Sequence, residues 1–392
     1  MEREEALALC ERLVAAMAAG GSELAEGQLH VPAAEYRDPT RWRAEVDRIF
    51  RAVPVVLAPS ALVAEPNSFV TRDVLGTALL VARGADGVAR TFVNACVHRG
   101  ARLCDGAGSE RRLTCPYHGW TYDTAGRLVG VPHRDQFGDI ATDGLLQLPT
   151  AERHGLVFAT LGATPTAGEP AAPPDLDTWL DGFGPILDDL ALADQHVVAV
   201  SELPGPNWKV AKDGYFDGYH FSALHKDTLG RVYRGNAQVF EAWGPHQRFH
   251  FATHRLHDGG MTSAHEHPRP HQLMGTVTAL FPNTAFAGDR DGLLMSQVFP
   301  GAAPGTSITF QTHLRRRPLD PADTSDLDKA LERVRYLEFV VQEEDYATGL
   351  AIGSNLPAMA GAAQDFVFGR NELANQRFHT WVRHFLEIDS SQ

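Results

Sequence analysis

The sequence predicts an α+β protein of more than one domain. Three observations lead there. Short strand patterns alternate with turn residues between positions 55 and 161, a second group of strand patterns lies between 248 and 313, and helical periodicity gathers at 4–18, 38–53, 326–351 and 371–385. Strands and helices that run in separate blocks indicate α+β layering. At 392 residues the chain is long enough for two domains.

Each element has its own signal. In the first helix Leu9, Leu13 and Met17 recur at four-residue spacing, and Gly20-Gly21 ends it. Cys10 sits in this helix as a small apolar residue. The second helix opens on Asp38 as N-cap with Pro39 in the first helical position, and its apolar stripe is Trp42, Val46, Ile49, Phe50 and Val53. Residues 77–83 and 88–94 flank a Gly84-Ala85-Asp86-Gly87 turn and predict a hairpin, and residues 155–161 predict the last strand of this β region. Pro165, Pro170, Pro173 and Pro174 mark 162–175 as an extended connector and the domain boundary. A short helix follows around Trp179. Strand-like runs at 248–254, 276–281, 293–299 and 306–313 predict an antiparallel sheet, with Phe249 and Phe251 alternating as a half-buried strand requires. Leu327, Leu331, Val334, Leu337 and Val341 then line one face of a long amphipathic helix.

Composition narrows the partners. The formal net charge of −14 argues against nucleic acid or an anionic membrane surface. The acidic start, Met1-Glu2-Arg3-Glu4-Glu5, does not read as a secretory peptide, and no apolar run approaches the ~20 residues that span a bilayer. A cytoplasmic enzyme is the expectation. In such a chain the four cysteines, clustered with histidines, point to a metal site rather than a disulfide framework.

Two metal signatures follow. Cys96-Val97-His98 and Cys115-Pro116-Tyr117-His118 form a C-x-H and a C-x-x-H pair separated by 16 residues on turn-rich β loops. Four such ligands suit zinc or an iron–sulfur centre, and a Rieske [2Fe–2S] cluster uses two Cys on one iron and two His on the other. Pro116, Gly119 and Trp120 suit a tight loop that shields a cluster. Cys104 lies outside the spacing and reads as a buried thiol; His133 and His154 read as ordinary histidines. The second signature is Asp217, His220 and His225, at i, i+3 and i+8. Two such imidazoles need one carboxylate to form the 2-His-1-carboxylate face of non-haem Fe(II) sites. Asp345, in the acidic run Glu343-Glu344-Asp345, follows Val341 by four residues and so continues the apolar stripe inward; Glu344 is its nearest rival. The loop His265-Glu266-His267-Pro268-Arg269-Pro270-His271 is too irregular for more than adventitious metal binding, though it could lie over an active-site mouth.

Together with the lead-in Asn207-Trp208-Lys209, these motifs make the chain resemble the catalytic α subunit of Rieske non-haem iron aromatic-ring-hydroxylating oxygenases. The resemblance implies an N-terminal Rieske β domain beside a helix-grip, START-like catalytic domain with an antiparallel sheet and a long C-terminal helix. The expected division is 1–54 as N-terminal helices packing on the catalytic domain, 55–165 as the Rieske domain and 166–392 as the catalytic domain. It implies that Cys96, His98, Cys115 and His118 hold the [2Fe–2S] cluster, and that His220, His225 and Asp345 hold mononuclear Fe(II). It further implies a homotrimer in which Asp217 bridges His118 of one copy to His220 of the next. The implied partners are O2, a small and aromatic or cyclic substrate, and an NAD(P)H-dependent reductase with or without a ferredoxin. The chain itself has no dinucleotide-binding glycine fingerprint after a strand. Hydroxylation, dihydroxylation and oxidative dealkylation all fall within the family. A Rieske electron carrier without oxygen chemistry is the alternative; it leaves 207–225 without a purpose. Members often carry an acidic or amide pair before the bridging aspartate, where this chain has Asp213-Gly214. Phe216, Phe221, Leu224, Phe281 and Phe299 are candidates for the pocket wall or for core.

Overall fold

The structure is a computed structural model that describes residues 1–140, 142, 144–167, 172–289, 292–320 and 322–387. It divides into two compact units, Val46–Val197 and the combination of Met1–Glu45 with Val198–Gln392. Both divisions differ from the expected 54/55 and 165/166. The first falls inside the second helix, where Pro39–Glu45 passes into a π-helical turn, Val46–Phe50. Glu45 stays with the unit that holds its partners Lys209 and Trp208, as described below. Within the proline-rich connector, Thr166–Ala167 pairs with Leu146–Leu148 as an edge strand.

The unit Val46–Val197 is built on antiparallel sheets of six, three and three strands among the described residues. The predicted hairpin is present as Thr77–Arg83 paired with Ala89–Val93. Asp123 shapes the later turn by accepting from the backbone N–H of Ala125 and Arg127. Phe69, Leu80, Phe92, Leu103, Trp120 and Tyr122 form a core that also contains Cys96 and Cys115.

The other unit carries a seven-stranded antiparallel sheet, His196–Gly205, Ser307–Arg315, Gly292–Pro300, Thr284–Asp289, Met274–Leu280, His246–Thr253 and Tyr233–Trp243 in spatial order. The four predicted strands are there. The flanking strands and Thr284–Asp289 escaped the sequence reading, which scored runs of apolar residues; Asn283 and Thr284 break that run, yet both are fully buried. The first helix, Arg3–Ala18, buries Leu9, Cys10 and Leu13 against Ala237, Val239 and Leu256. The predicted helix 326–351 is three segments in sequence: Thr324–Phe339, a π-helical stretch Val340–Tyr346, and Ala347–Gly361.

The helix Trp208–Tyr215 is anchored from below by a charged pair. Asn207 caps it, accepting from Lys209 N–H at 2.8 Å. Lys209 is 1% exposed, and its ammonium is bonded to the carboxylate of Glu45, which is 0% exposed. Trp208 Nε1 donates to the same carboxylate at 2.8 Å. Removing one partner of a buried ion pair strands the other. Lys209→Met is therefore expected to lower unfolding stability by about 3 kcal/mol, measured by denaturant titration; an unchanged midpoint would dismiss the clamp.

Candidate metal centres

In the unit Val46–Val197 the two Cys/His loops fold alike. Gly100 N–H donates to Cys96 C=O (2.7 Å) and Gly119 N–H to Cys115 C=O (3.0 Å). Gly100 and Gly119 both take left-handed φ, +76° and +74°, which a side chain would oppose. Cys96 and Cys115 are buried and free of disulfide bonds, and burial, with Cys115 close by, pushes the Cys96 thiol up. Tyr122 accepts from Val97 N–H (3.2 Å), so its own hydroxyl proton is free to donate to Cys96 Sγ (3.2 Å). His98 and His118 meet edge to face with ring centres 4.7 Å apart, and Trp120 stacks flat on His98. His98 Nδ1 is buried without a partner, and His118 is exposed at the loop tip. Among the described residues, only His220, His225 and Asp345 bring three or more ligand atoms within 4.8 Å of one another. The four Cys/His donors therefore do not converge on one point, as a single tetrahedral zinc ion would require. Two thiols on one side and two imidazoles on the other do suit a two-iron cluster.

In the other unit, the helix Trp208–Tyr215 stops at Phe216 and the chain turns through a 3-10 segment, Tyr219–Ser222. Asp217 Oδ1 accepts from His220 N–H (3.1 Å) and lies 2.8 Å from His220 Nδ1. His225, 1% exposed, donates from Nδ1 to Glu344 Oε2 at 2.8 Å, and Thr228 Oγ1 donates to the same oxygen at 2.7 Å. With both Nδ1 atoms held, the Nε2 atoms turn to one carboxylate: Asp345 Oδ1 lies 3.0 Å from His225 Nε2 and 3.7 Å from His220 Nε2. Burial lowers the His225 pKa, but Asp345 and Glu344 outweigh it and hold the ring above the ordinary histidine value. Two neutral nitrogens and one carboxylate around a point of negative potential are a donor set for a divalent transition metal.

The rivalry between the two acids resolves geometrically. Asp345 meets the Nε2 atoms and Glu344 meets an Nδ1. Glu344 as a histidine partner was not foreseen. Successive residues of an α-helix point about 100° apart, whereas the π winding of Val340–Tyr346 puts more residues into each turn and lets both acids address the site.

Other expectations sort out plainly. Phe216, Phe221, Phe281 and Phe299 are core, with Phe216 against Phe249 and Phe378, and Phe281 stacked on Phe385. Leu224 instead faces a hollow of about 520 Å3 that also borders Asp217, His220, Asp345 and Glu372. Asp213 is committed to Tyr36 Oη (2.9 Å) and His379 Nε2 (2.8 Å). Cys104 is partly buried, its thiol pushed up to about 11 by desolvation. His154 Nδ1 pairs with Asp188 at 2.6 Å, and His133 is exposed. The His265–His271 stretch is tied to the first helix, because Arg3 donates to the carbonyls of His265 and His267.

Comparison with known proteins agrees with this arrangement. Residues 192–388 match the model of the ring-hydroxylating α subunit catalytic domain, and residues 53–150 match the Rieske [2Fe–2S] domain. The chain belongs to the family of Rieske ring-hydroxylating oxygenase α subunits, and the cofactors of that family are a Rieske [2Fe–2S] cluster and a mononuclear iron. It is similar to the carnitine monooxygenase oxygenase subunit of Acinetobacter baumannii, 32% identical over 216 residues that cover 54% of this chain and 55% of the relative. It is also similar to the biphenyl 2,3-dioxygenase α subunit of Rhodococcus jostii, 32% identical over 243 residues that cover 54% and 49%. The chain thus spans about half the length of the curated relatives it matches. Its fold resembles a solved quaternary ammonium Rieske monooxygenase with L-carnitine (TM-score 0.74, 21% identity, 93% and 97% covered). It also resembles naphthalene 1,2-dioxygenase from Rhodococcus sp. bound to indole (TM-score 0.72, 19% identity, 99% of each chain covered). Among the described residues no helix is long and apolar enough to cross a membrane.

Proposed function

We infer that this chain is a terminal oxygenase component. It uses O2 and electrons from an NAD(P)H-dependent reductase, directly or through a ferredoxin, to hydroxylate, dihydroxylate or oxidatively dealkylate a small organic substrate. The observation that carries the reading is the convergence of His220 Nε2, His225 Nε2 and Asp345 Oδ1, with both Nδ1 atoms pinned by carboxylates. These three residues are the ligands of the mononuclear iron, and Cys96, His98, Cys115 and His118 are the ligands of the cluster. Ferrous iron held by these three residues would supply the O2 chemistry.

The chain's own residues do the positioning. Asp217 and Glu344 fix the imidazole orientation and raise ligand basicity. Asp217 also lines the 520 Å3 hollow, whose wall includes Asp213, Asp365 and Glu372. The Rieske loop tip offers the opposite charge at Arg99, which is exposed beside His118 with its guanidinium 5.4 Å from the Tyr117 ring centre. Seating His118 of a second copy in that acidic hollow would set it against Asp217, which favours a homotrimer. Light scattering of the native protein tests this; a monomer with full turnover would exclude it.

Iron content separates the oxygenase from a simple electron carrier, at about three irons per chain against about two. Glu344→Gln is expected to weaken ferrous-ion binding about 10–100-fold while the cluster spectrum stays unchanged. Anaerobic Fe(II) titration reads the first effect and visible absorbance the second.

A further inference from the structure

The chain is acidic overall, with a formal net charge of −14, yet one cavity is cationic. It measures about 570 Å3 and lies between the strand Ser307–Arg315 and the helix Thr324–Phe339. Arg316, Arg317 and Lys329 are exposed around it, and Leu293, Leu314 and Val334 give it an apolar floor. Its one acidic lining residue, Asp326, is already bonded to Arg315 at 2.9 and 3.2 Å. The excess positive charge is therefore carried by side chains with reach and freedom.

A second observation points inward. His313 lines the same cavity, is 4% exposed, and has its Nε2 buried without a partner. Two residues along the strand, on the same face, is Gln311, fully buried with neither amide atom bonded. Ser296 sits directly across the strand pair from Gln311, and its hydroxyl is also unbonded. The buried hydroxyl of Tyr215 lies beside Ser296, Gln311 and Tyr346 without meeting hydrogen-bond geometry, and its helix packs against Val340–Tyr346, the stretch that carries Asp345. Buried polar atoms are normally satisfied. Here a row of unsatisfied ones runs from the cationic cavity toward the proposed iron ligand. The covering helix agrees: of the predicted apolar stripe Val334 and Val341 are buried, while Leu327, Leu331 and Leu337 stay half-covered.

The geometry points to a small organic anion as the substrate class, an acid with a carboxylate or phosphate head and an apolar body. Arg316, Arg317 and Lys329 hold the head, Leu293 and Val334 flank the body, and His313 and Gln311 offer hydrogen bonds along the way. This rests on the oxygenase reading and extends it to the substrate. Arg315 and Gln311 are four residues apart on an extended strand, roughly 13 Å, so the acid is elongated rather than a bare single ring.

Calorimetric titration of the iron-loaded protein with 4-phenylbutyrate, its neutral amide, and phenyl phosphate tests the site. At low salt at least one of the two anions is expected to bind at least tenfold more tightly than the amide, and the stronger of the two identifies the head group. In Arg316→Gln/Lys329→Gln that ratio is expected to fall to near one, with amide binding and iron content unchanged. Equal binding of acid and amide by the native protein, or a ratio that survives the double substitution, overturns the anion site. O2 uptake by the pre-reduced protein, freed of excess reductant, tells the two readings apart. Selective binding with no O2 uptake for any compound leaves the anion site standing and overturns the oxygenase. Uptake driven by neutral arenes without anion selectivity overturns the anion site alone.

Discussion

Asp345→Asn is expected to leave the protein with about two irons per chain instead of about three, and with no measurable substrate oxidation. The substitution keeps the size and one oxygen of the side chain but removes its charge. Asp345 Oδ1 is the atom that His225 Nε2 and His220 Nε2 approach, at 3.0 and 3.7 Å. Without its charge, two neutral imidazoles remain for a divalent ion, and the facial arrangement is lost. Loss of an outer partner already costs about 10–100-fold in affinity or activity, so loss of a ligand should exceed that range. The cluster lies in the other unit and should keep its visible spectrum, which serves as an internal control for folding. Colorimetric iron analysis beside the absorbance spectrum reads both numbers. A protein that still holds about three irons would remove Asp345 from the ligand set and return the role to Glu344.

Asp217→Asn should behave differently: both metals stay and turnover falls by more than about tenfold. Asp217 does not face the Nε2 side of the site. It holds His220 from behind, at 2.8 Å on Nδ1 and 3.1 Å on the backbone N–H, and it lines the acidic hollow. An asparagine can keep one of those bonds but cannot stabilise the imidazole through charge, nor share itself with a second histidine from a neighbouring copy. Single-turnover experiments with pre-reduced protein, followed at the cluster absorbance, separate slow transfer from lost iron. Full activity in this variant would refute the bridge.

Much of this was readable in the residues, for identifiable reasons. The Cys/His loops announce themselves because ligand spacing and tight turns are local properties of the chain. Asp38, the glycine turn at 84–87 and the first helix are local too, and the structure shows each where the pattern put it. What escaped depends on contacts between distant residues. Glu45 looks like an ordinary surface acid of an amphipathic helix until Lys209 and Trp208 close on it. Four of the five pocket-wall candidates, all of them phenylalanines, are core; Phe249, Phe251, Phe378 and Phe385 reach three of these from far along the chain. The place of Glu344 behind His225 was missed because ordinary helical periodicity does not hold across 340–346.

That stretch also bears on how such a site can be lost. A π turn holds one residue more than its surroundings, so deleting a single position there would let the helix relax into regular α winding. Residues on either side of the stretch would keep their faces, and those inside it would be re-aimed by up to about 100°. Asp345 would leave the histidines with scarcely a change in the hydrophobic interior. A shortened allele could thus decay quietly into an electron-storing relic, still coloured by its cluster, with no point substitution at a ligand to betray it.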